Sequence, residues 1–324
     1  MFWMCSKITV GSLPPFYCTS AKWKRSVDNY ADSATVTVPA LYFLKKSGNI
    51  YNPKVVGTYL FAEGMPIQIE LGYNGNLVTR FKGFIKRINY AAPLELECEG
   101  YSYPLQKIYI NKTYTNSSVK KILTDLLQGT GISISSDTAD VPINEAVFKN
   151  ASGVQILEWL KKKCLLTVYF NFNEIYVGLR ATEPKGSVDF HIGWNTVNAN
   201  DLLFSGYKEF STVRINGVYR KSNGDLNVTT TDGNGSVKTI HLDVDMTTAW
   251  QQKIINDRKL IYTSMGYTGK LTAFLEPYTD IGMTAKITDD KYPERSGSYF
   301  VESVEGSFSN RGGRQIVGIG FSLN

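Results

Sequence analysis

The chain has 324 residues and a net charge of +6, with 43% hydrophobic and 20% charged residues, a balance that excludes intrinsic disorder and is enough for about two domain cores. No stretch approaches the ~18 consecutive apolar residues of a membrane helix, and Met1–Lys7 lacks the basic and apolar regions of a secretory leader. With 20 tyrosines, 16 phenylalanines and 28 glycines, the composition predicts a strand-rich fold with many turns.

The first hundred residues read as strands. Ala34–Val38 alternates, and Pro66–Leu71 puts Ile67, Ile69 and Leu71 on one face. Gly72-Tyr73-Asn74-Gly75-Asn76 predicts a tight turn, and Val78–Tyr90 a return strand carrying Phe81, Phe84, Ile85 and Ile88. Leu94–Glu99 alternates strictly, so Glu95, Glu97 and Glu99 share a face. Three aligned carboxylates fit acid–base or cation chemistry, but no neighbour in the sequence supplies a pKa-shifting environment, and a solvated or channel-lining face is the expectation.

Near residue 106 the pattern becomes helical. Asn116-Ser117-Ser118 offers cap residues ahead of Val119, Ile122, Leu123, Leu126 and Leu127, and Gly129 is placed to end that helix. A second helix is predicted over Ser152–Lys163, with Val154, Leu157 and Leu160 inward and Asn150 or Ser152 as cap. Leu165–Phe170 and Glu174–Leu179 then read as a hairpin about Asn171-Phe172-Asn173. From about residue 201 strands return. Thr212–Arg220 and Asp225–Thr231 pair about Lys221-Ser222-Asn223-Gly224, and a third helix begins at Thr247 or Thr248, with Trp250, Ile254, Ile261 and Met265 on its stripe and Gly266 at its end.

The chemistry-bearing residues are sparse. Cys5, Cys18, Cys98 and Cys164 form no C-x-x-C pair and read as unpaired thiols in a reducing compartment, a Cys5–Cys18 bridge being the alternative. Lys161-Lys162-Lys163 ends a predicted helix, where cations complement the exposed carbonyls, and reads as a solvated helix end rather than a nucleic-acid patch. Asp232-Gly233-Asn234-Gly235 opens like a calcium loop, but Asp243 stands where the closing Glu belongs, so a hairpin turn is expected. His241, Asp243 and Asp245 alternate and would share a strand face, yet no second histidine is close enough in sequence to complete a metal set. The other histidine, His191, reads as a half-buried strand or turn residue. No hydrolase, zincin, Walker or dinucleotide fingerprint occurs. The expectation is therefore no catalytic residue, no metal site, no cofactor and no assignable binding residue. Trp23, Trp194 and Trp250 are the aromatics that could stack on a sugar, although Trp250 fits a helix core better.

The most informative feature is an internal repeat. Gly64-Met65-Pro66-Ile67-Gln68-Ile69 is echoed by Gly282-Met283-Thr284-Ala285-Lys286-Ile287, and Phe84-Ile85-Lys86-Arg87-Ile88 by Phe300-Val301-Glu302-Ser303-Val304. Leu94–Glu99 and Gln315–Phe321 then follow as one further strand in each half. The predicted fold class is mainly β with an α+β insertion: two similar antiparallel β-barrels plus a helix–hairpin module. Boundaries are expected at 1–106 for the first barrel, 107–200 for the insertion and 201–324 for the second barrel, which carries a helical insertion near 247–266.

In order, Gly64–Ile69, Leu71-Gly72-Tyr73, Phe81-Lys82-Gly83-Phe84-Ile85 and Leu94-Glu95-Leu96-Glu97-Cys98 resemble the first barrel of phage tail baseplate hub proteins, a family related to the hub region of type VI secretion spike proteins. Tyr114–Gly131 and Asn150–Leu179 are similar to that family's post-barrel helix and its helix-plus-hairpin module. Met65 and Met283 stand where an acidic residue is frequent in the family. The resemblance implies a homotrimer whose six barrels form a pseudo-six-fold ring, adapting a six-fold tail tube to a three-fold spike. It further implies a virion location after assembly in the host cytoplasm, tube or baseplate proteins as partners, passage of DNA through the channel without specific binding, and no membrane insertion. Since the chain stops after the second barrel's last strand, the spike is expected to be a separate protein. A carbohydrate-binding or host-recognition tail protein and a tail-associated hydrolase are the alternatives.

Overall fold

The computed structural model describes residues 3–39, 44–46, 49–51, 60–91, 93–180, 185–205, 212–217, 227–230, 237–244 and 246–323. The chain opens with β1 (Met4–Val10), β2 (Ser20–Ser26), β3 (Asn29–Val38), the short β4 (Leu44–Lys46) and β5 (Asn49–Tyr51), then β6 (Pro66–Tyr73), β7 (Asn76–Asn89) and β8 (Leu94–Glu99). Alternation works as expected in β6, where Ile67, Ile69 and Leu71 are buried. Asn74 and Gly75, at φ 53° and 85°, make the tight turn into β7 that Asn-Gly favours.

The middle of the chain contains α1 (Ser102–Leu105), β9 (Tyr109–Ser118), α2 (Val119–Leu127), β10 (Ser133–Ile134), β11 (Pro142–Ser152), α3 (Gly153–Lys162), β12 (Thr167–Asn171) and β13 (Glu174–Gly178). Both predicted helices form, each directly after a strand. The Ser118 hydroxyl accepts from Lys121 N, and Ser152 and Gln155 cap each other's backbone N–H reciprocally. Two residues before each cap, Asn116 and Asn150 adopt φ 47° and 49°, which turns strand into helix. β12 and β13 form the predicted antiparallel hairpin. The ladder between β9 and β11 has no counterpart in the sequence reading. Its residues are mostly polar and exposed, so no apolar alternation marks them.

The last part comprises β14 (Ser187–His191), β15 (Thr196–Ser205), β16 (Thr212–Gly217), β17 (Asn227–Thr230), β18 (Val237–Leu242), α4 (Thr248–Thr263), β19 (Gly266–Ala273), β20 (Thr284–Thr288), β21 (Gly297–Ser309) and β22 (Gly312–Ser322). β16 and β17 pair antiparallel, as read from the sequence, and β16 also pairs parallel with β18. Lys221–Gly224 and Asp232–Gly235 lie outside the described residues. Met265 is exposed beyond the end of α4, and Gly266 begins β19 instead of capping the helix.

One 12-stranded sheet runs through both ends of the chain, and its order contains the same arrangement twice. The first lobe reads β1-β6-β7-β8-β3-β2, the second β14-β20-β21-β22-β19-β15. Taken in chain order, each lobe places its strands 1-4-5-6-3-2. The lobes differ at the first position, since β1 runs antiparallel to β6 whereas β14 runs parallel to β20. Each lobe has its own core: Ile8, Val36, Ile69, Ile85 and Leu96 in the first, Leu271, Ala285, Val301 and Val317 in the second.

One expected boundary shifts. Residue 200 falls inside β15, and both β14 and β15 pair with second-lobe strands, so the second lobe begins ahead of Ser187. The helix expected near 247–266 forms as α4 and packs on the middle unit: Ile254 and Ile255 share a core with Ile122, Leu123, Ile156 and Leu157. No helix among the described residues is long and apolar enough to cross a membrane.

Candidate assembly junction

The two lobes meet along β2, which pairs with β3 on one side and with the C-terminal half of β21 on the other. Alternation in β2 sends Ala21, Trp23 and Arg25 inward and leaves Lys22 and Lys24 exposed. Trp23 lies opposite Gly306, where a Cβ would stand 1.9 Å from the indole, so the ring packs onto bare backbone. On the outer face the junction forms an open cleft of about 510 Å³, lined by Lys22, Lys24, Ser33, Thr35, Glu305 and Arg314. Glu305 accepts from Lys24 and Lys270, each at 3.1 Å. Burial works against its charge, but these hydrogen bonds outweigh it and hold the carboxyl below its ordinary range.

On the inner face Arg25 ties three parts of the chain together. Its Nε donates to Asp32 Oδ2 at 3.1 Å, its Nη1 to Asp280 Oδ1, and its Nη2 to the Phe170 carbonyl at 2.9 Å. The guanidinium also lies 4.4 Å from the centre of the Phe172 ring. β2, β3, the approach to β20 and the β12–β13 hairpin thus converge on one side chain that is 2% exposed. Burial disfavours the Arg25 charge, yet the two carboxylates overcome this and raise its pKa. Asp32 is pushed up to about 7 by burial, helped by Asp280 and opposed by Arg25. One guanidinium faces the buried Asp32 and the partly buried Asp280, and Asp32 Oδ1 has no hydrogen-bond partner. Nearby, Arg80 donates to the Leu275 carbonyl at 2.6 Å and lies 5.0 Å from the Tyr278 ring, while the Tyr278 hydroxyl donates to Asp280 Oδ2 at 3.1 Å. Burial lowers the Arg80 pKa. The cluster is a chain of donors and acceptors across a domain boundary, and it presents no nucleophile beside a base.

The residues singled out by sequence are scattered. Glu97 pairs with Arg87, but Glu99 is buried and accepts from Lys86, Ser102 and Gln106 at 2.7, 2.8 and 2.6 Å, which corrects the expectation of a solvated or channel-lining face at that position. Lys161 donates to the Asp28 carbonyl, Lys162 pairs with Glu158 at 2.7 Å and Lys163 with Asp243, so the basic run is tied down within the chain. His241 is exposed on β18, Asp245 lies outside the described residues, and no group of three or more metal-ligating side chains occurs among the described residues. His191 Nε2 lies 2.8 Å from Asp290 Oδ2 and its ring stacks on the exposed Trp194. Trp23 is buried, and Trp250 is partly buried against the middle core. All four cysteines are free. Sequence reasoning missed Arg25, Asp32 and Asp280. Asp280 stands 255 residues from Arg25, and no local motif links them.

No protein-family model matches the chain, and no curated protein matches it in sequence. Solved structures do match in fold. The 43 kDa tail protein of prophage MuSo2 from Shewanella oneidensis is 15% identical, with a TM-score of 0.64 over 98% of this chain and 97% of that one. A tail protein from Neisseria meningitidis is 13% identical, with a TM-score of 0.66 over 98% and 96%. An E. coli component of the type VI secretion system, described as structurally similar to the T4 tail proteins gp27 and gp5, is 10% identical, with a TM-score of 0.58 over 98% and 77%. The chain therefore has the mainly β fold of phage tail proteins.

Proposed function

We propose that this chain is the structural hub of a contractile phage tail baseplate or a related injection apparatus. In this reading it is a homotrimer that joins the tail tube to a separate spike protein, and its role is mechanical rather than catalytic. The observation that carries the reading is the doubled six-strand order within one continuous sheet. A chain with two near-equivalent lobes gives three copies six near-equivalent surfaces, so a three-fold body can meet a six-fold one with matching contacts. The likeness to tail proteins along nearly the whole length of this chain supports the same reading.

The mechanism is geometric. Strand ladders bear load along their hydrogen bonds, and the lobes are joined by seven consecutive β2–β21 residue pairs, Ser20↔Ser309 through Ser26↔Ser303. Arg25 fastens that joint to the middle unit, so displacement of one part is transmitted to the others. When the spike leaves, the ring would leave a passage for DNA, held open by rigid walls rather than by specific contacts. We place the protein in the virion tail on the same grounds.

Light scattering on the purified full chain tests the reading, alone and mixed with a spike protein of the same particle. A three-fold mass, or a complex of three chains with the spike, is the expected result. A chain that stays monomeric in both cases and binds glycans would instead favour the host-recognition alternative, for which the exposed Trp194 stacked on His191 is the specific observation.

A further inference from the structure

The two lobes match strand by strand, and the match reveals which edges are left open. In that correspondence β15 is the counterpart of β2, and β7 the counterpart of β21. The registers fix it residue by residue. Trp23 lies opposite Ala34, Ala34 opposite Cys98, and Cys98 opposite Ile85. Leu202 lies opposite Gly269, Gly269 opposite Ile319, and Ile319 opposite Val301. Leu202 therefore corresponds to Trp23, Leu203 to Lys24 and Phe204 to Arg25. Likewise Phe84 and Phe300 hold the same place beside β6 and β20, so Ile88 corresponds to Val304, Asn89 to Glu305 and Tyr90 to Gly306.

Within the chain, Arg25 faces Val304, and each is 2% exposed because the lobes cover one another there. Their counterparts are less covered: Ile88 is only partly buried, against its own lobe's core, and Phe204 and the residues flanking the pair lie open. Phe204 is 62% exposed, Leu203 70% and Tyr90 60%. Among the described residues, β15 pairs only with β19, and β7 beyond Phe84 pairs only with β8. Apolar residues on an unpaired strand edge are a liability that a stable protein covers. The charges agree with this. The Lys24–Glu305 ion pair and the buried Arg25 are replaced at the open edges by Leu203, Asn89 and Phe204, which bring no charge to desolvate when two folded chains meet.

We propose that a second copy of this chain seats the β7 edge on β15, with Phe204 opposite Ile88 and Leu203 opposite Asn89, repeating between chains the joint that β2 and β21 make within one. This rests on the hub reading and assigns its subunit contact. The contact is heterologous, each chain offering β15 to one neighbour and β7 to the other, and it closes into a ring if its rotation is the three-fold one of the hub reading.

Cysteine pairing on the full chain, in a Cys5→Ser/Cys18→Ser background, tests it. Leu203→Cys combined with Asn89→Cys should oxidise to covalent trimers on a non-reducing gel, whereas each single variant and the off-register pair Leu203→Cys/Lys86→Cys should not. Phe204→Asp should keep the circular dichroism of the parent and lose the trimer. A trimer in which the Leu203–Asn89 pair stays unlinked, or one that survives Phe204→Asp, overturns the joint and leaves the hub reading standing. Open-ended linked oligomers without a closed trimer would support the joint and overturn the three-fold hub. A chain that remains monomeric and unlinked at every concentration overturns both.

Discussion

Gly64 and Gly282 occupy the same place in the two lobes and make the same backbone hydrogen bonds. Each adopts a left-handed conformation, at φ 85° and 80°. Gly64 N donates to the Ile85 carbonyl at 2.7 Å and Gly282 N to the Val301 carbonyl at 2.9 Å, while Ile85 N and Val301 N return bonds of 2.9 Å to Met65 and Met283. The repeated Gly-Met is thus a turn that feeds the fourth strand of each lobe into register. Alanine at either position should cost about 1–2 kcal/mol from the backbone alone. Gly282→Ala should cost more than Gly64→Ala, because its Cβ would stand 3.3 Å from the Tyr169 hydroxyl, against 3.9 Å for the nearest atom at Gly64. Urea unfolding midpoints of the two variants check the order.

Arg25 holds Asp32, Asp280 and the Phe170 carbonyl at once, so its removal takes the donor from the buried Asp32, whereas the partly buried Asp280 keeps bonds from the Tyr278 hydroxyl and Ile281 N. Arg25→Met should destabilise the chain by about 3–5 kcal/mol, as expected when one partner of a buried ion pair is deleted. Adding Asp32→Asn and Asp280→Asn to Arg25→Met should recover part of that loss, since the cost lies in the uncompensated charges. Chemical denaturation of the single and triple variants measures the recovery. No recovery would mean that Arg25 acts through packing on Phe172 alone.

Much of the fold was legible because its signals are local. Alternation marked β3, β6 and β8, Asn74-Gly75 marked a turn, and Ser118 and Ser152 marked two helix starts. The repeat was legible as well, because both copies need the same glycine and the same apolar alternation. The β9–β11 ladder was not, since its strands expose most of their side chains and carry no period-two apolar pattern. Nor was the junction. Arg25 sits in the polar-looking run Ser20-Ala21-Lys22-Trp23-Lys24-Arg25-Ser26, and only the topology separates the exposed Lys22 and Lys24 from the buried Arg25. Glu99 departs from the alternation for the same reason: α1 covers the end of β8, and sequence alternation carries no record of what packs over a strand.

Ser152 and Gln155 form a reciprocal cap, with Gln155 N donating to Ser152 Oγ at 3.3 Å and Ser152 N to Gln155 Oε1 at 2.7 Å. Ser118 caps α2 with a longer bond of 3.4 Å from Lys121 N. Ser152→Ala should therefore cost about 1 kcal/mol, and Ser118→Ala less. Thermal melts of the two variants compare them, and an equal loss would show that the reciprocal bond adds nothing.

Asp32 makes the junction sensitive to pH in a direction opposite to that of most paired carboxylates. Its pKa is raised to about 7 from an ordinary value of 3.8, chiefly by burial, so the folded chain holds this proton more tightly than the unfolded chain. Stability from this group is fully present below the unfolded value and is lost as pH rises through about 7. The charges facing it are Arg25, bound to its Oδ2, and Asp280, which shares that arginine. Raising the pH from about 6 to about 8 should lower the melting temperature of the parent chain more than that of Asp32→Asn, whose side chain cannot ionise. The difference between the two melting curves isolates Asp32 from every other titrating group. Parallel curves across that range would mean that Asp32 stays charged throughout, with Arg25 holding it against burial.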